Sequence, residues 1–147
     1  MDIYRETSLA TVAPLLRQGG LTTGDLPDDL EHFFACGAPG RPDGVVGIEL
    51  YGGHAILRSL AVSPDARGRG CGTALVAAAE RYARAHDVRT IHLLTETARE
   101  FFEALGYRPT DRAGAPETIR QSRQFAELCP ASAVFMTKAL DADGQLR

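Results

Sequence analysis

Between positions 67 and 72 the chain reads Arg67, Gly68, Arg69, Gly70, Cys71, Gly72, and this run separates two segments of opposite periodicity. Glycine accepts left-handed backbone that other residues resist, so glycines at alternate positions predict a tight turn that exposes its amides. Ahead of it, residues 54–62 have strand character and stop at Ser63, Pro64 and Asp65. Behind it, Leu75, Val76, Ala79, Tyr82 and Ala83 form one apolar face, predicting a helix over 73–86. A strand, a glycine turn and a helix start together make a device for holding phosphate. Amides approach the anion closely, and the helix N-terminus adds partial positive charge. Arg67 and Arg69 reinforce that charge. The spacing is not that of the familiar nucleotide loops: there is no GxxxxGK[ST], and Thr73 stands where GxGxxG needs its last glycine.

The strand before this turn also belongs to a predicted antiparallel hairpin. Residues 45–51 read as its first strand and Gly52-Gly53 as a two-residue connection. A dinucleotide-binding unit would open on a parallel strand instead. Elsewhere, Ile3 and Arg5 open a first strand, and Ser8 or Thr7 caps a helix carrying Leu9, Val12, Leu15 and Leu16 that Gly19 and Gly20 stop. Residues 21–29 read as loop, 32–36 as a strand and 37–44 as a stretch of turn formers. Further strands are expected over 90–94, from Tyr107 and over 133–139. Thr97 is expected to cap a helix over 98–105, and residues 117–128 look helical. The sum is an α/β (α+β) architecture: a mixed central sheet of about six or seven strands flanked by about four helices.

At 147 residues the chain suits one domain, expected over 1–140, with a loose polar tail over 141–147. Sixteen Lys and Arg against nineteen Asp and Glu leave a net charge of -3, which provides no general attraction to nucleic acid. No apolar run approaches the roughly 18 residues that suggest a membrane span. The first residues lack an apolar signal core, so a cytoplasmic location is expected, without membrane or nucleic-acid partners. Self-association as a homodimer is left open. Cys36, Cys71 and Cys129 are widely spaced and form no CxxC pair, suggesting small core residues and neither a disulfide framework nor a metal site.

The glycine turn resembles the acyl-CoA-binding core of the GNAT superfamily of acetyltransferases. Arg67, Gly70 and Gly72 meet its pattern of Gln or Arg, two residues, Gly, one residue, Gly or Ala. Leu60, Ala61 and Val62 look like the strand end that pairs with pantetheine, and the segment from Phe101 to Tyr107 adds to the likeness. The resemblance implies acetyl-CoA as co-substrate, bound by Leu60, Ala61, Val62, Arg67, Gly68, Arg69, Gly70, Cys71, Gly72, Thr73 and Phe102. Within the superfamily, residues 57–62, 93–98 with Phe101 and Phe102, and 124–133 resemble the N-acetyltransferases of bacterial arsenic-resistance operons. Residues 94–97 with Phe102 are also similar to the acetyltransferase domain of N-acetylglutamate synthases. Both relatives imply a small amino-acid-like acceptor, and the first an organoarsenical or related antimetabolite.

Acetyl transfer to an amine requires a neutral amine, aligned reactants and stabilised charge on oxyanion and thiolate. The tyrosine that protonates the thiolate in many family members is replaced by Phe102, and the usual asparagine by Thr95. The Thr95 hydroxyl either touches the leaving group or caps the next helix. Ile56 stands where some members have a basic glutamate. A two-residue turn at Gly52-Gly53 would set Glu49 opposite Ile56 on the same sheet face, making Glu49 the candidate base. Arg58, two residues beyond Ile56, either grips an acceptor carboxylate or pairs with Glu49. Glu96 and Thr97 are candidate acceptor contacts, as more weakly are Arg112, Arg120 and Arg123. Tyr51 and His54 are weaker acid or base candidates, and His92 reads as structural. Two functions follow: N-acetyl transfer to a small primary amine, or, given the missing tyrosine and glutamate, a catalytically weak acyl-CoA-binding sensor.

Overall fold

The computed structural model describes residues 2–122, 125 and 132–140. Seven strands form one mixed sheet: β1 (Ile3–Arg5), β2 (Phe33–Ala38), β3 (Arg41–Tyr51), β4 (His54–Val62), β5 (Thr90–Thr95), β6 (Arg108–Pro109) and β7 (Val134–Ala139). Their order across the sheet is β1-β2-β3-β4-β5-β7-β6. Four α-helices accompany them among the described residues: α1 (Leu9–Gln18), α2 (Cys71–Ala85), α3 (Arg99–Ala104) and α4 (Glu117–Arg120). The expected mixed sheet of about seven strands with about four helices is therefore present.

Contacts gather into two compact units, one comprising the chain up to Glu49 with Leu57–Arg81, the other Leu50–Ile56 with the chain from Tyr82 on. In the first, Val12, Leu15 and Leu16 of α1 pack with Leu30, Phe33, Ala35, Val45 and Ala61. The residues named from α1 recur at helical spacing, so burying one stripe of the helix covers one face of the strands. Strand β2 pairs antiparallel with both β1 and β3. The stretch expected to be all turn between 37 and 44 is mostly strand. Ala38 pairs with Arg41, leaving Pro39 and Gly40 as the connection, and a register shift at Cys36/Gly37 absorbs the extra residue. Turn-forming composition marked the bend but overstated its length.

In the second unit, Ile56, Ala115, Ile119 and Phe135 make the core, with Tyr51, Leu94 and Phe125 against it. Strand β4 pairs in parallel with β5 through His54↔Thr90, Ala55↔Ile91 and Ile56↔His92. Strand β7 pairs antiparallel with both β5 and β6. Tyr51 ends β3 and His54 begins β4, so the connection is the two-residue Gly52-Gly53 turn, with Gly52 at φ 67°. Residues 117–128 were expected to be one helix; α4 is four residues long and Gln121 closes it. Residues 123, 124 and 126–128 of that expectation lie outside the described residues, as do 129–131 and the tail over 141–147.

Candidate functional site

Val62, Ser63 and a short 3-10 turn over Pro64–Ala66 deliver the chain to the glycine run. Gly68 and Gly70 have φ of 80° and 83°, and a Cβ on either would meet nothing within 4 Å. These glycines are therefore required by backbone conformation and not by crowding. Helix α2 begins at Cys71, and Ala74 N donates to Gly70 O at 3.0 Å. The first amides of any α-helix have no acceptor inside it, which suits this end to an anion. Arg67 is exposed, and its Nε donates to Val62 O at 3.3 Å. Arg69 is exposed and Thr73 carries an exposed side chain one turn into α2. Leu60 and Val62 are half-buried, and Ala61 is buried.

Cys71 does more than supply backbone. It forms a disulfide with Cys36 of β2, which corrects the expectation of unlinked cysteines. The two are 35 residues apart, a separation that carries no signal of proximity. Gly44 provides the room, because a Cβ there would lie 2.5 Å from Cys71 Sγ. A cavity of about 310 Å³ opens beside the bridge, lined by both cysteines with Gly37, Ala66, Arg69 and the acidic Asp2 and Asp43. Neither Glu49 nor Arg58 lines it.

Those two residues meet in a buried ion cluster in the same unit. Arg58 Nη1 donates to Glu49 Oε2 at 2.7 Å and also to Asp25 Oδ2, while Nη2 donates to Asp25 Oδ1 at 3.0 Å. Arg58 Nε donates to Ser59 Oγ at 3.1 Å. The Arg58 and Asp25 side chains are 2% and 5% exposed, whereas that of Glu49 is 30% exposed. Glu49 is thus the member of the cluster open to solvent. Burial alone would pull the Arg58 pKa down, but hydrogen bonds and charge from Asp25 and Glu49 outweigh it and leave it raised. The guanidinium stays charged.

Asp25 and Ser59 escaped the sequence reading. Asp25 belongs to the loop after α1, where nothing in the local pattern points toward β4. Ser59, between Arg58 and Leu60 in β4, has φ 57°, a left-handed conformation uncommon outside glycine. Serine carries no marker for that conformation.

In the second unit, Thr95 Oγ1 accepts from Ala98 N at 3.0 Å, so Thr95, not Thr97, closes the turn that enters α3. The helix starts at Arg99. A hydroxyl that accepts one bond keeps its proton to donate. Ser132 Oγ donates to Glu96 Oε1 at 3.2 Å. Phe102 is buried, edge-on to Phe101 and Tyr107 with centroids 5.1 and 5.6 Å away. Arg112 donates to Ala133 O at 2.7 Å; Arg120 is exposed, and Arg123 lies outside the described residues. His54 Nδ1 and His92 Nε2 are 3.1 Å apart, and His92 Nδ1 lies 2.9 Å from Thr137 Oγ1. Burial first and the His54 charge second lower the His92 pKa to about 4. Among the described residues, no three His, Cys, Asp or Glu side chains gather as metal ligands, and no helix is long and apolar enough to cross a membrane.

A glycine turn opening a helix, set on a hairpin within a mixed seven-stranded sheet, is the architecture of an acyl-CoA-dependent acyltransferase. Residues 3–107 match the model of the acetyltransferase (GNAT) family, and the chain belongs to that family, the acetyl-CoA-dependent N-acetyltransferases. Among solved structures it is similar to the N-acetylglutamate synthase of Neisseria gonorrhoeae, complexed with coenzyme A and N-acetyl-glutamate, at 20% identity and TM-score 0.79. That likeness covers 96% of this chain but only 36% of the synthase chain. Rv2747 of Mycobacterium tuberculosis, in complex with CoA, matches at 18% identity and TM-score 0.72 over 95% of this chain and 99% of its own. A protein assigned as an acyl-CoA N-acyltransferase from Klebsiella pneumoniae matches at 25% identity and TM-score 0.66, covering 95% and 97% of the two chains. No curated protein sequence matches the chain.

Proposed function

We propose that the protein transfers acetyl from acetyl-CoA to the primary amine of a small amino-acid-like acceptor. The observation that carries this is the ion cluster: a partly exposed carboxylate, Glu49, fixed by hydrogen bonding to a buried, permanently charged guanidinium, Arg58. Such a pair can address both ends of an acceptor that bears an amine and an acid. The neighbours crystallised with coenzyme A, one of them with N-acetyl-glutamate, support the same substrate classes.

In this reading the loop residues Arg67, Gly68, Arg69, Gly70, Cys71, Gly72 and Thr73 hold the pyrophosphate. Leu60, Ala61 and Val62 take the pantetheine, and Phe102 supports the acyl-CoA side from its aromatic packing. Glu49, directly or through water, removes a proton from the acceptor ammonium. The neutral nitrogen attacks the thioester carbonyl, a C–N bond forms, and the C–S bond breaks. The nitrogen then loses its second proton and the CoA thiolate gains one, so the protons balance. Thr95, through its hydroxyl, is the polar contact for the leaving group. Glu96 and Thr97 are acceptor contacts in the same proposal. The cytoplasm, where acetyl-CoA is available, remains the expected location.

The finer acceptor identity, an amino-acid-like organoarsenical or related antimetabolite in arsenic resistance, rests on the resemblance of residues 57–62, 93–98 and 124–133. The deciding experiment mixes the purified protein with acetyl-CoA and a panel of amino acids, amines and such analogues, and follows free CoA thiol. Acceptor-dependent thiol release by amino-acid-like members is the expected result. Tight acetyl-CoA binding with no acceptor-dependent release would replace the proposal with the sensor reading.

A further inference from the structure

Asp25 holds Arg58 as an acceptor carboxylate would, with its two oxygens on the two terminal nitrogens of one guanidinium. We propose that Asp25 is an exchangeable internal ligand, displaced from Arg58 by the carboxylate of an incoming acceptor, so that acceptors are selected by a contest with Asp25. This rests on the reading of the site as one for amino-acid-like acceptors.

The exchange is chemically even. A carboxylate replaces a carboxylate, the number of charge-assisted hydrogen bonds to the guanidinium is unchanged, and the fold has already removed Arg58 from water. Arg58 does not depend on Asp25 alone for its orientation. Ser59 Oγ continues to hold Nε, and Glu49 continues to hold Nη1.

Asp25 itself comes from a segment that can release it. Gly24 and Pro27 on either side are exposed, and the segment is attached by Leu26, which packs on the first core and donates its amide to Thr23 O at 3.1 Å. Turning the Asp25 side chain outward leaves those attachments in place.

The shared nitrogen also narrows the acceptor. Asp25 and Glu49 both bind Nη1, so a carboxylate in the place of Asp25 lies one hydrogen-bonded atom away from Glu49. An acceptor amine on the carbon next to its carboxyl group would then face Glu49. An α-amino acid has that spacing.

The test compares wild type with Asp25→Asn, using an α-amino acid active in the CoA-release assay and the matched amine that lacks the carboxyl group. If the Asp25-bound form outweighs the open form by about tenfold, removing the competitor lowers the amino acid KM by about that factor. The KM values for the matched amine and for acetyl-CoA should not change. A rise or no change in the amino acid KM, or an equal fall for both acceptors, would overturn the proposal. Should Asp25→Asn not fold, Asp25→Ser is measured instead, with thermal melting as the folding control. Calorimetry with N-acetylated amino acids as probes makes the result independent of turnover. Tighter probe binding by the variant supports the exchange even if no acceptor releases CoA, in which case the transferase reading alone fails. Probe binding that is equal, weaker or undetectable in both proteins defeats the exchange.

Discussion

Glu49 Oε2 and Arg58 Nη1 meet at 2.7 Å from opposite sides of the Gly52-Gly53 turn. Nine positions separate them in the chain, and the short turn is what makes them neighbours. Both residue types were visible as candidates in the sequence, and their contact is the ion-pair alternative considered for Arg58.

If Glu49 is the base, Glu49→Gln removes proton acceptance while keeping an oxygen for Arg58. We expect kcat to fall by about 100-fold, within the usual range for general base catalysis. The Kd for acetyl-CoA should stay within about twofold. An unchanged kcat would take Glu49 out of the reaction.

Arg58→Ala leaves the almost fully buried Asp25 carboxylate without its guanidinium. Breaking a buried pair from one side costs about 3–5 kcal/mol when the stranded charge stays buried; an Asp25 free to turn outward escapes that cost, so urea denaturation should show a loss well below it. A loss of about 3–5 kcal/mol would mean that Asp25 cannot leave its buried place, and would count against its exchange.

The disulfide joins β2 to the first residue of α2. Replacing both Cys36 and Cys71 by Ser should cost about 2–4 kcal/mol of stability and weaken acetyl-CoA binding, because the glycine loop proposed to hold the pyrophosphate loses its tether. Equal Kd values for the variant and the oxidised protein, measured by calorimetry, would separate the bridge from cofactor binding.

His92 links stability to acidity. Its folded pKa of about 4 lies below the ordinary 6.5, so the folded protein holds the ring neutral while the unfolded chain takes up a proton near 6.5. The stabilisation is complete above pH 6.5 and is lost as the pH falls toward 4. The shift corresponds to roughly 3 kcal/mol at most. His92→Asn, which keeps a hydrogen-bonding group toward Thr137, should flatten that part of the stability profile. An identical pH slope in both proteins would show that other groups govern it.

The elements that were easiest to read were those whose pattern is local. Strand β4 and the two-residue turn before it follow from alternation and paired glycines, and α2 from its single apolar face. The β2–β3 connection was misjudged because glycine and proline show that a chain can bend, not how many residues the bend consumes. The site divides in the same way. The turn at Gly68 and Gly70 is legible because alternate glycines mark left-handed backbone, and both have positive φ. Asp25 was not, since its pairing depends on the loop after α1 reaching Arg58 of β4. The pairing of Cys36 with Cys71 was equally hidden, arising from a register shift at Cys36/Gly37 and the missing side chain of Gly44.

A glycine-rich loop is ordinarily among the first parts of a protein to open. Here its junction with α2 is sewn to β2, a strand paired on both sides. The amides at that junction should therefore exchange with solvent deuterium at the slow pace of the sheet, and local fraying should give way to opening only with the strands beneath. The glycine loop borrows the persistence of the scaffold without borrowing its side chains.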